Sequence, residues 1–176
     1  MNILAISGSA RKESTNTYLL KEVSRLVLPR VNIEVFHSLD AIPVFNPDNE
    51  GDKTPASVVA LCKKIAQCDG LIVSSPEYAR SIPGGLKNAI DWLISRDEMI
   101  GKPIAVLHAS HRGRDLLASL RRVLATVSEN FTTELFLEIP LVGKDKNEIR
   151  EIVHLEKNRL LVNHFVSDFC AFIETI

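Results

Sequence analysis

The residues whose types and spacing most suggest chemistry stand near the start of the chain, in the segment Ser7-Gly8-Ser9-Ala10-Arg11-Lys12-Glu13-Ser14-Thr15-Asn16-Thr17. An apolar run at residues 3–6 precedes this segment, and an amphipathic pattern follows it. The first N–H groups of a helix have no intrahelical partner and carry partial positive charge, so they attract anions. Hydroxyl groups and one arginine between a buried strand and a helix start therefore predict a phosphate site.

The predicted phosphate site has neither common nucleotide fingerprint. The segment lacks the Gly-Lys-Ser/Thr ending of a P-loop, which argues against a nucleoside triphosphatase, and it lacks the GxGxxG dinucleotide pattern. The candidate phosphate ligands are the donors of the segment, which are Ser9, Arg11, Ser14, Thr15, Asn16 and Thr17. A simpler interpretation stays open, in which Ser14 or Asn16 only caps the helix.

Apolar periodicity predicts strands that alternate with helices. Strands are expected at residues 3–6, 32–37, 71–73, 103–108 and 133–139. Helices are expected at residues 16–28, 55–67, 86–94, 116–128 and 147–176, with an interruption of the last one left open. Such alternation is typical of a doubly wound parallel sheet covered on both faces. By analogy we expect a single domain over residues 1–176 with a flavodoxin-like α/β fold, five parallel strands in the order 2-1-3-4-5, and three α/β/α layers.

This strand order predicts where a ligand binds. In open α/β sheets ligands lie beyond the carboxyl ends of the strands, at the switch point between the first and third strands. Three loops should converge there: loop 1 (residues 8–17), loop 2 (residues 76–85) and loop 3 (residues 109–115).

Composition excludes several classes of protein. The 176 residues have a formal net charge of −1, which predicts no general attraction to nucleic acid or to an anionic membrane. The apolar runs are shorter than the roughly 20 residues of a membrane helix. The three cysteines, Cys62, Cys68 and Cys170, lack metal-ligand spacing, so no metal is expected. Their odd number favours a reducing, cytoplasmic compartment, where they would serve as small buried hydrophobic residues.

Loop 2 combines residues that restrict the backbone with residues that leave it accessible. Pro76 and Pro83 stiffen it, and Gly84-Gly85 permits a close approach of the backbone to another group. Its backbone N–H and C=O groups are suited to reading the edge of a flat heterocycle, with Tyr78 beside the ring. The alternative is an ordinary strand-to-helix turn in which Tyr78 and Trp92 serve packing.

Together these segments resemble the NADPH-dependent FMN reductases, a family that includes bacterial quinone, chromate and azo-dye reductases. The resemblance covers nearly the whole chain and is carried by two motifs, Gly8-Ser9-x-Arg11-x-x-Ser14-x-Asn16 and Pro76-Glu77-Tyr78 with Pro83-Gly84-x-Leu86-Lys87-Asn88-Ala89-x-Asp91-Trp92. It implies that loop 1 binds the FMN phosphate. It also implies that the isoalloxazine ring lies along Pro76, Glu77, Tyr78 and Ala79.

The chain departs from this family at two places. The family usually has Asn after the tyrosine, where this chain has Ala79, so a side-chain hydrogen bond is expected to be missing. Loop 3 is glycine-rich in the family, but here only Gly113 and Ser110 are left as ring contacts. Arginines near the site, Arg80, Arg112 and Arg114, are candidates for binding NADPH, because guanidinium suits its 2′-phosphate. The alternative for Arg112 and Arg114 is a solvated loop or a subunit contact.

The resemblance implies an FMN-dependent NAD(P)H oxidoreductase. Hydride would pass from NADPH or NADH through flavin N5 to a quinone, flavin, azo or metal-oxyanion acceptor, and no catalytic side chain is expected because the cofactor carries the chemistry. Two alternatives stay open: a flavin-binding electron carrier or redox sensor without NAD(P)H turnover, and an enzyme acting on a phosphorylated substrate without flavin. The family also implies a homodimer or homotetramer, with contacts at residues 86–94 and 116–128.

Overall fold

The computed structural model describes residues 1–27 and 29–176. Leu28, the predicted last residue of the first helix, lies outside the described residues. The strands are β1 (Asn2–Ser7), β2 (Asn32–Phe36), β3 (Gly70–Ser74), β4 (Ile104–His108) and β5 (Phe131–Glu138). The helices are α1 (Thr15–Val27), α2 (Ala56–Gln67), α3 (Gly84–Leu93), α4 (Arg114–Val127), α5 (Lys146–His154) and α6 (Glu156–Ile173).

The five strands form one parallel sheet in the order β2-β1-β3-β4-β5, which confirms the predicted flavodoxin-like topology. β1 lies between β2 and β3, and its register pairs Ser7 with Ser74 at the carboxyl ends. Every residue of β3 and β4 is buried. Continuous burial requires helices on both faces of the sheet, because each face must exclude water.

Alternate residues of β1 enter two separate cores, as expected from a side-chain period of two. Leu4 and Ile6 pack with apolar residues of α2, α3 and α4 on one face. Ile3 and Ala5 pack with residues of α1, α5 and α6 on the other face. The sheet is therefore the middle of three layers, with helices packed on both of its faces.

Several helix boundaries differ from the predictions. The interruption of the terminal helix, which the sequence left open, falls at Leu155, whose extended backbone separates α5 from α6, and α6 ends at Ile173 rather than at residue 176. Gly84 and Gly85, predicted to end loop 2 and to permit a close approach of the backbone, instead form the first turn of α3, because Pro83 provides a fixed φ directly before the helix. Arg114 likewise opens α4, which shortens loop 3.

The irregular stretch between β2 and α2 is fixed to α3 by side chains from the second family motif. Asn88 accepts a hydrogen bond from the N–H of Phe45 (2.7 Å) and donates one to the carbonyl of Pro43 (2.9 Å). The indole N–H of Trp92 also donates to Pro43 (2.8 Å), and its ring meets Phe45 edge-on at 5.0 Å. Val44, which lies between Pro43 and Phe45 in the chain, is 83% exposed. Asn88 and Trp92 thus have structural contacts here, as the packing alternative for Trp92 predicted.

The described residues contain neither a membrane-spanning helix nor a cluster of metal ligands. None of the helices is long and apolar enough to cross a membrane. Within residues 1–27 and 29–176 there is also no group of three or more metal-ligating side chains. Cys62 and Cys68 are buried, Cys170 is partly buried, and all three are free thiols.

Candidate functional site

A cavity of about 310 Å³ lies where the chain leaves the carboxyl ends of β1, β3 and β4. Loops 1, 2 and 3 all contribute to its wall, as the strand order predicted. The residues that line it are Thr15, Asn16, Ser75, Pro76, Glu77, His108, Ala109, Ser110, Arg112, Gly113, Val142 and Gly143.

Loop 1 is fixed to the sheet by buried side-chain hydrogen bonds. Ser7 and Thr17 share a hydrogen bond of 2.8 Å between their hydroxyl groups. The Ser74 hydroxyl donates to Asn16 Oδ1 over 2.9 Å, which connects the end of β3 to the first turn of α1. Thr17, one of the predicted phosphate ligands, is therefore occupied by a protein partner and lies outside the cavity.

Gly8 permits a close contact between loop 1 and the end of β3. Its N–H donates to the carbonyl of Ser74 over 2.7 Å. A Cβ atom at Gly8 would lie 2.7 Å from Ser75 Oγ and 2.9 Å from Leu86 Cδ2. Carbon atoms do not approach other atoms this closely, so a larger residue would displace the loop. Glycine at this position is thus explained by packing.

The N-terminus of α1 opens onto the cavity with unpaired donors. Ser14 caps the helix weakly, since its Oγ accepts from the N–H of Thr17 at 3.4 Å. The N–H groups of Thr15 and Asn16 have no acceptor within the described part of the chain. Both residues line the cavity. Two N–H groups without a protein acceptor at the positive end of a helix can bind an anion.

The outer side of loop 1 faces a second cavity, of about 500 Å³, which shares Thr15 and Gly143 with the first. Arg11 lines this second cavity and is exposed. Ser9 is 2% exposed, and its hydroxyl accepts a hydrogen bond from the Arg11 N–H at 3.2 Å. Arg11 therefore lines the second cavity and is not among the residues that line the first, although the two cavities meet at Thr15 and Gly143.

Loop 2 turns sharply before α3. Tyr78 and Ser81 exchange two backbone hydrogen bonds of 3.0 Å. The two residues between them have positive φ angles, 49° at Ala79 and 61° at Arg80. This region favours Gly and Asn over other residues. The Asn that the family usually has at position 79 therefore suits the backbone conformation as well as any side-chain contact.

Three of the predicted loop 2 ligands lie outside the cavity. Tyr78 is 44% exposed, and Ala79 is exposed at the tip of the turn. Arg80 donates from Nε to Asp115 Oδ2 over 2.7 Å, but both side chains are largely exposed, so the pair contributes little stability. Of this predicted group, Pro76 and Glu77 line the cavity.

Glu77 has a specific protein partner. Its Oε2 accepts a hydrogen bond from the N–H of Leu116 over 3.0 Å. Leu116 is the third residue of α4, so the carboxylate caps the start of that helix. Glu77 therefore connects loop 2 to loop 3, in addition to lining the cavity.

Loop 3 is connected to the sheet by a hydrogen bond with His108, the last residue of β4. The His108 Nε2 atom lies 2.6 Å from the carbonyl oxygen of Arg112. Arg112 lines the cavity, and its N–H donates to the Ser110 hydroxyl over 2.9 Å. Gly113 follows with φ 92°, and a Cβ atom there would lie 3.3 Å from the His108 ring. Arg114, the third candidate for NADPH binding, is exposed at the start of α4.

Sequence reasoning missed two parts of the cavity. The sequence predicts His108 as the end of a strand. Ligands bind at the carboxyl ends of strands, and this rule could have identified His108 as a cavity residue. Val142 and Gly143 belong to loop 4 (residues 139–145), between β5 and α5. β5 is an edge strand distant from the switch point, so no sequence signal indicated that its loop reaches the cavity.

This sheet order and this cavity define a flavodoxin-like α/β protein. The chain belongs to the NADPH-dependent FMN reductase family, whose family model matches residues 1–134. Flavodoxin 1 of Bacillus cereus has the same fold at a TM-score of 0.59 and 18% identity, over 95% of this chain and 98% of that one.

Two curated relatives are similar in sequence to this chain over part of their length. A quinone reductase of Escherichia coli K12 is 34% identical over 113 residues, which are 62% of this chain and 60% of that protein. An NAD(P)H-dependent FMN reductase of Pseudomonas aeruginosa is 39% identical over 112 residues, again 62% and 60%. The matches thus span about 60% of the length of these curated relatives.

A solved structure matches almost the whole chain. The flavoenzyme FerB of Paracoccus denitrificans, an NAD(P)H:(acceptor) oxidoreductase, superposes with a TM-score of 0.76 and 27% identity. The match covers 99% of this chain and 97% of FerB.

Proposed function

We propose that the chain is an FMN-dependent NAD(P)H oxidoreductase that passes hydride to a quinone, flavin, azo or metal-oxyanion acceptor. The observation that carries the proposal is that the N–H groups of Thr15 and Asn16 have no protein acceptor among the described residues, while both residues line the cavity at the switch point of the sheet. Membership of the NADPH-dependent FMN reductase family supports the phosphate of FMN as the anion.

The donors at the cavity wall suit the phosphate of FMN. The Thr15 and Asn16 N–H groups would hold the phosphate, with the Ser9 and Ser14 hydroxyls supporting the backbone of loop 1. Among the other predicted ligands, Pro76, Glu77, Ser110 and Gly113 would surround the remainder of the cofactor. Arg11 would act at longer range, as a positive charge in the neighbouring cavity that shares Thr15.

The protein contributes binding and orientation, while bound FMN supplies the capacity to accept and donate hydride. Glu77 and His108 hold loops 2 and 3 in fixed positions at the cavity wall. Ser74 and Asn16 hold loop 1 against β3. These contacts orient the cavity wall, and we propose no catalytic side chain because bound FMN would carry the chemistry.

The nucleotide is proposed to approach the cavity from the side of Arg112, the candidate arginine that lines it. Arg80 is engaged by Asp115, so its availability for the NADPH 2′-phosphate depends on breaking an exposed ion pair. An exposed pair of this kind is worth roughly 0–1 kcal/mol, which a phosphate could replace.

The first test is spectroscopic. Purified protein, reconstituted with FMN, should show flavin absorbance that NADPH or NADH bleaches under anaerobic conditions and that a quinone restores. Protein that binds no FMN would contradict the cofactor assignment. Bound flavin that neither nucleotide reduces would contradict the reductase activity and favour the electron-carrier alternative.

A second test addresses the phosphate site directly. Proline is tolerated at the first position of a helix, so T15P removes one N–H group while keeping the start of α1. T15A is the matched control, because it removes the side chain but retains the N–H group. We expect T15P to bind FMN about tenfold more weakly than T15A, the size of one charge-assisted hydrogen bond. Riboflavin, which lacks the phosphate, should bind the two variants equally.

A further inference from the structure

His108 combines deep burial with access to the cavity. It is 3% exposed, it ends β4, and it lines the cavity beneath loop 3. Its ring also lies near that of Phe136, with centroids 6.4 Å apart and planes tilted by 30°. A residue packed this tightly has a fixed orientation, so the two ring nitrogens have distinct environments.

One nitrogen of the ring is occupied by the protein. Nε2 lies 2.6 Å from the carbonyl oxygen of Arg112. A carbonyl oxygen can only accept a hydrogen bond, so Nε2 carries the proton. In an imidazole with one proton, Nδ1 is then an acceptor.

The other nitrogen has no partner within residues 1–27 and 29–176, where no hydrogen bond involves Nδ1. Among these residues Arg96 Nε is the only solvent-inaccessible side-chain nitrogen or oxygen that lacks a hydrogen-bond partner. Nδ1 of His108 also lacks a partner within this part of the chain but is not solvent-inaccessible, so it has contact with solvent. Because His108 is otherwise enclosed, the cavity is the place where that contact occurs. An acceptor is thus available to a ligand in the cavity that Thr15 and Asn16 also line.

We propose that His108 is a ligand-binding residue, in which Nδ1 accepts a hydrogen bond from the bound flavin while Nε2–H holds loop 3. The inference rests on the proposed function, since it concerns the same cavity. A flavin offers two kinds of donor, the hydroxyl groups of its polyol chain and N3–H of its ring. Either would satisfy an acceptor that the protein leaves unpaired.

The test measures flavin affinity by fluorescence quenching for the wild type and for H108Q. Glutamine can still donate to the Arg112 carbonyl from the position of Nε2, but it has no acceptor at the position of Nδ1. Three ligands are compared: riboflavin, lumiflavin without the polyol chain, and 3-methylriboflavin without N3–H. The control is H164Q, because His164 lies on α6 with a side chain that is 80% exposed and away from the cavity.

We expect H108Q to weaken riboflavin binding about five- to tenfold, the range of one hydrogen bond, and H164Q to leave it unchanged. If a polyol hydroxyl is the donor, the loss disappears with lumiflavin and persists with 3-methylriboflavin. If N3–H is the donor, the pattern is reversed. An equal loss with all three ligands, or no loss, would overturn the inference while leaving flavin binding intact. A wild type that binds no flavin would overturn the proposed function as well.

A measurement on the wild type does not depend on folding of the variant. Long-range proton–nitrogen spectra of protein labelled in histidine report the protonation of each ring nitrogen. Adding riboflavin should shift the Nδ1 resonance of His108 while the proton stays on Nε2. An unchanged Nδ1 resonance, or a ring protonated on both nitrogens in the complex, would refute the proposal.

Discussion

The carboxylate oxygen Oε2 of Glu77 accepts a hydrogen bond of 3.0 Å from the backbone N–H of Leu116. Glu77 follows β3 and Leu116 lies in the first turn of α4, so this bond joins two of the three loops that line the cavity. Glu77 was predicted as a cofactor ligand, but the contact that the structure gives its Oε2 is a helix cap.

Removing this cap should lower stability. E77A is expected to reduce the free energy of unfolding by about 1 kcal/mol, the usual value of a helix cap, and E77Q by less because the amide oxygen can still accept. Urea denaturation monitored by circular dichroism measures the difference. E151A is the control, since Glu151 is an exposed residue of α5. Equal losses for E77A and E151A would show that the bond to Leu116 contributes nothing.

Gly8 and Gly84 should respond oppositely to the same substitution. G8A places a Cβ atom 2.7 Å from Ser75 Oγ, whereas nothing lies within 4 Å of a Cβ atom at Gly84. G8A should therefore lose about 1–3 kcal/mol of stability through overpacking. G84A should gain about 0.5 kcal/mol by restricting the unfolded chain at a helical position. The measurement is chemical denaturation, and a G8A protein as stable as the wild type would contradict the close packing of loop 1.

Ala79 occupies a backbone conformation that alanine disfavours. Its φ of 49° costs an L-residue about 1 kcal/mol, which Gly avoids and Asn partly avoids. A79G and A79N should therefore raise the thermal midpoint. A118G is the control and should lower the thermal midpoint. Ala118 is an exposed helical residue of α4, where glycine in place of alanine reduces helix stability by about 1 kcal/mol. A lower midpoint for both Ala79 variants would mean that the turn is not held in this conformation.

The stability that the Asp145 cap gives to the start of α5 should depend on pH. The backbone N–H groups of Glu148 and Asn147 donate to Asp145 and lower the pKa of its carboxyl group. A lowered pKa means that the cap stabilises the fold above the ordinary value near 3.8 and is lost as pH falls through the folded-state pKa. Carboxyl NMR titration should detect this shift in the wild type. E148A retains both N–H groups and should retain most of it; an unshifted Asp145 would contradict the capping box.

The oligomeric state tests the predicted subunit contacts. We expect a dimer or larger assembly by light scattering at micromolar concentration. Ile94, at the end of the predicted contact helix α3, is 57% exposed, and I94E should shift the equilibrium toward monomer. V59E is the matched control, because Val59 is 50% exposed on α2, outside the predicted contacts. A wild type that is monomeric throughout would refute the prediction.

The sequence by itself determined the order of the elements and the general location of the cavity. Alternating strand and helix periodicities depend on residues close together in the chain, and they identified five strands whose parallel order followed by analogy. The donors of loop 1 were also recognisable, because a helix N-terminus is a local feature. Even there, the pattern did not distinguish Thr17, which bonds to Ser7, from Thr15 and Asn16, which line the cavity.

Only the tertiary structure decided the partners of the individual side chains. Glu77 meets Leu116 across 39 residues of sequence, and Asn16 meets Ser74 across 58. No periodicity encodes such pairs, because they depend on how two loops approach each other after the sheet has formed. The same holds for His108, whose two ring nitrogens differ only because loop 3 folds over one of them, and for Gly143, which reaches the cavity from an edge strand.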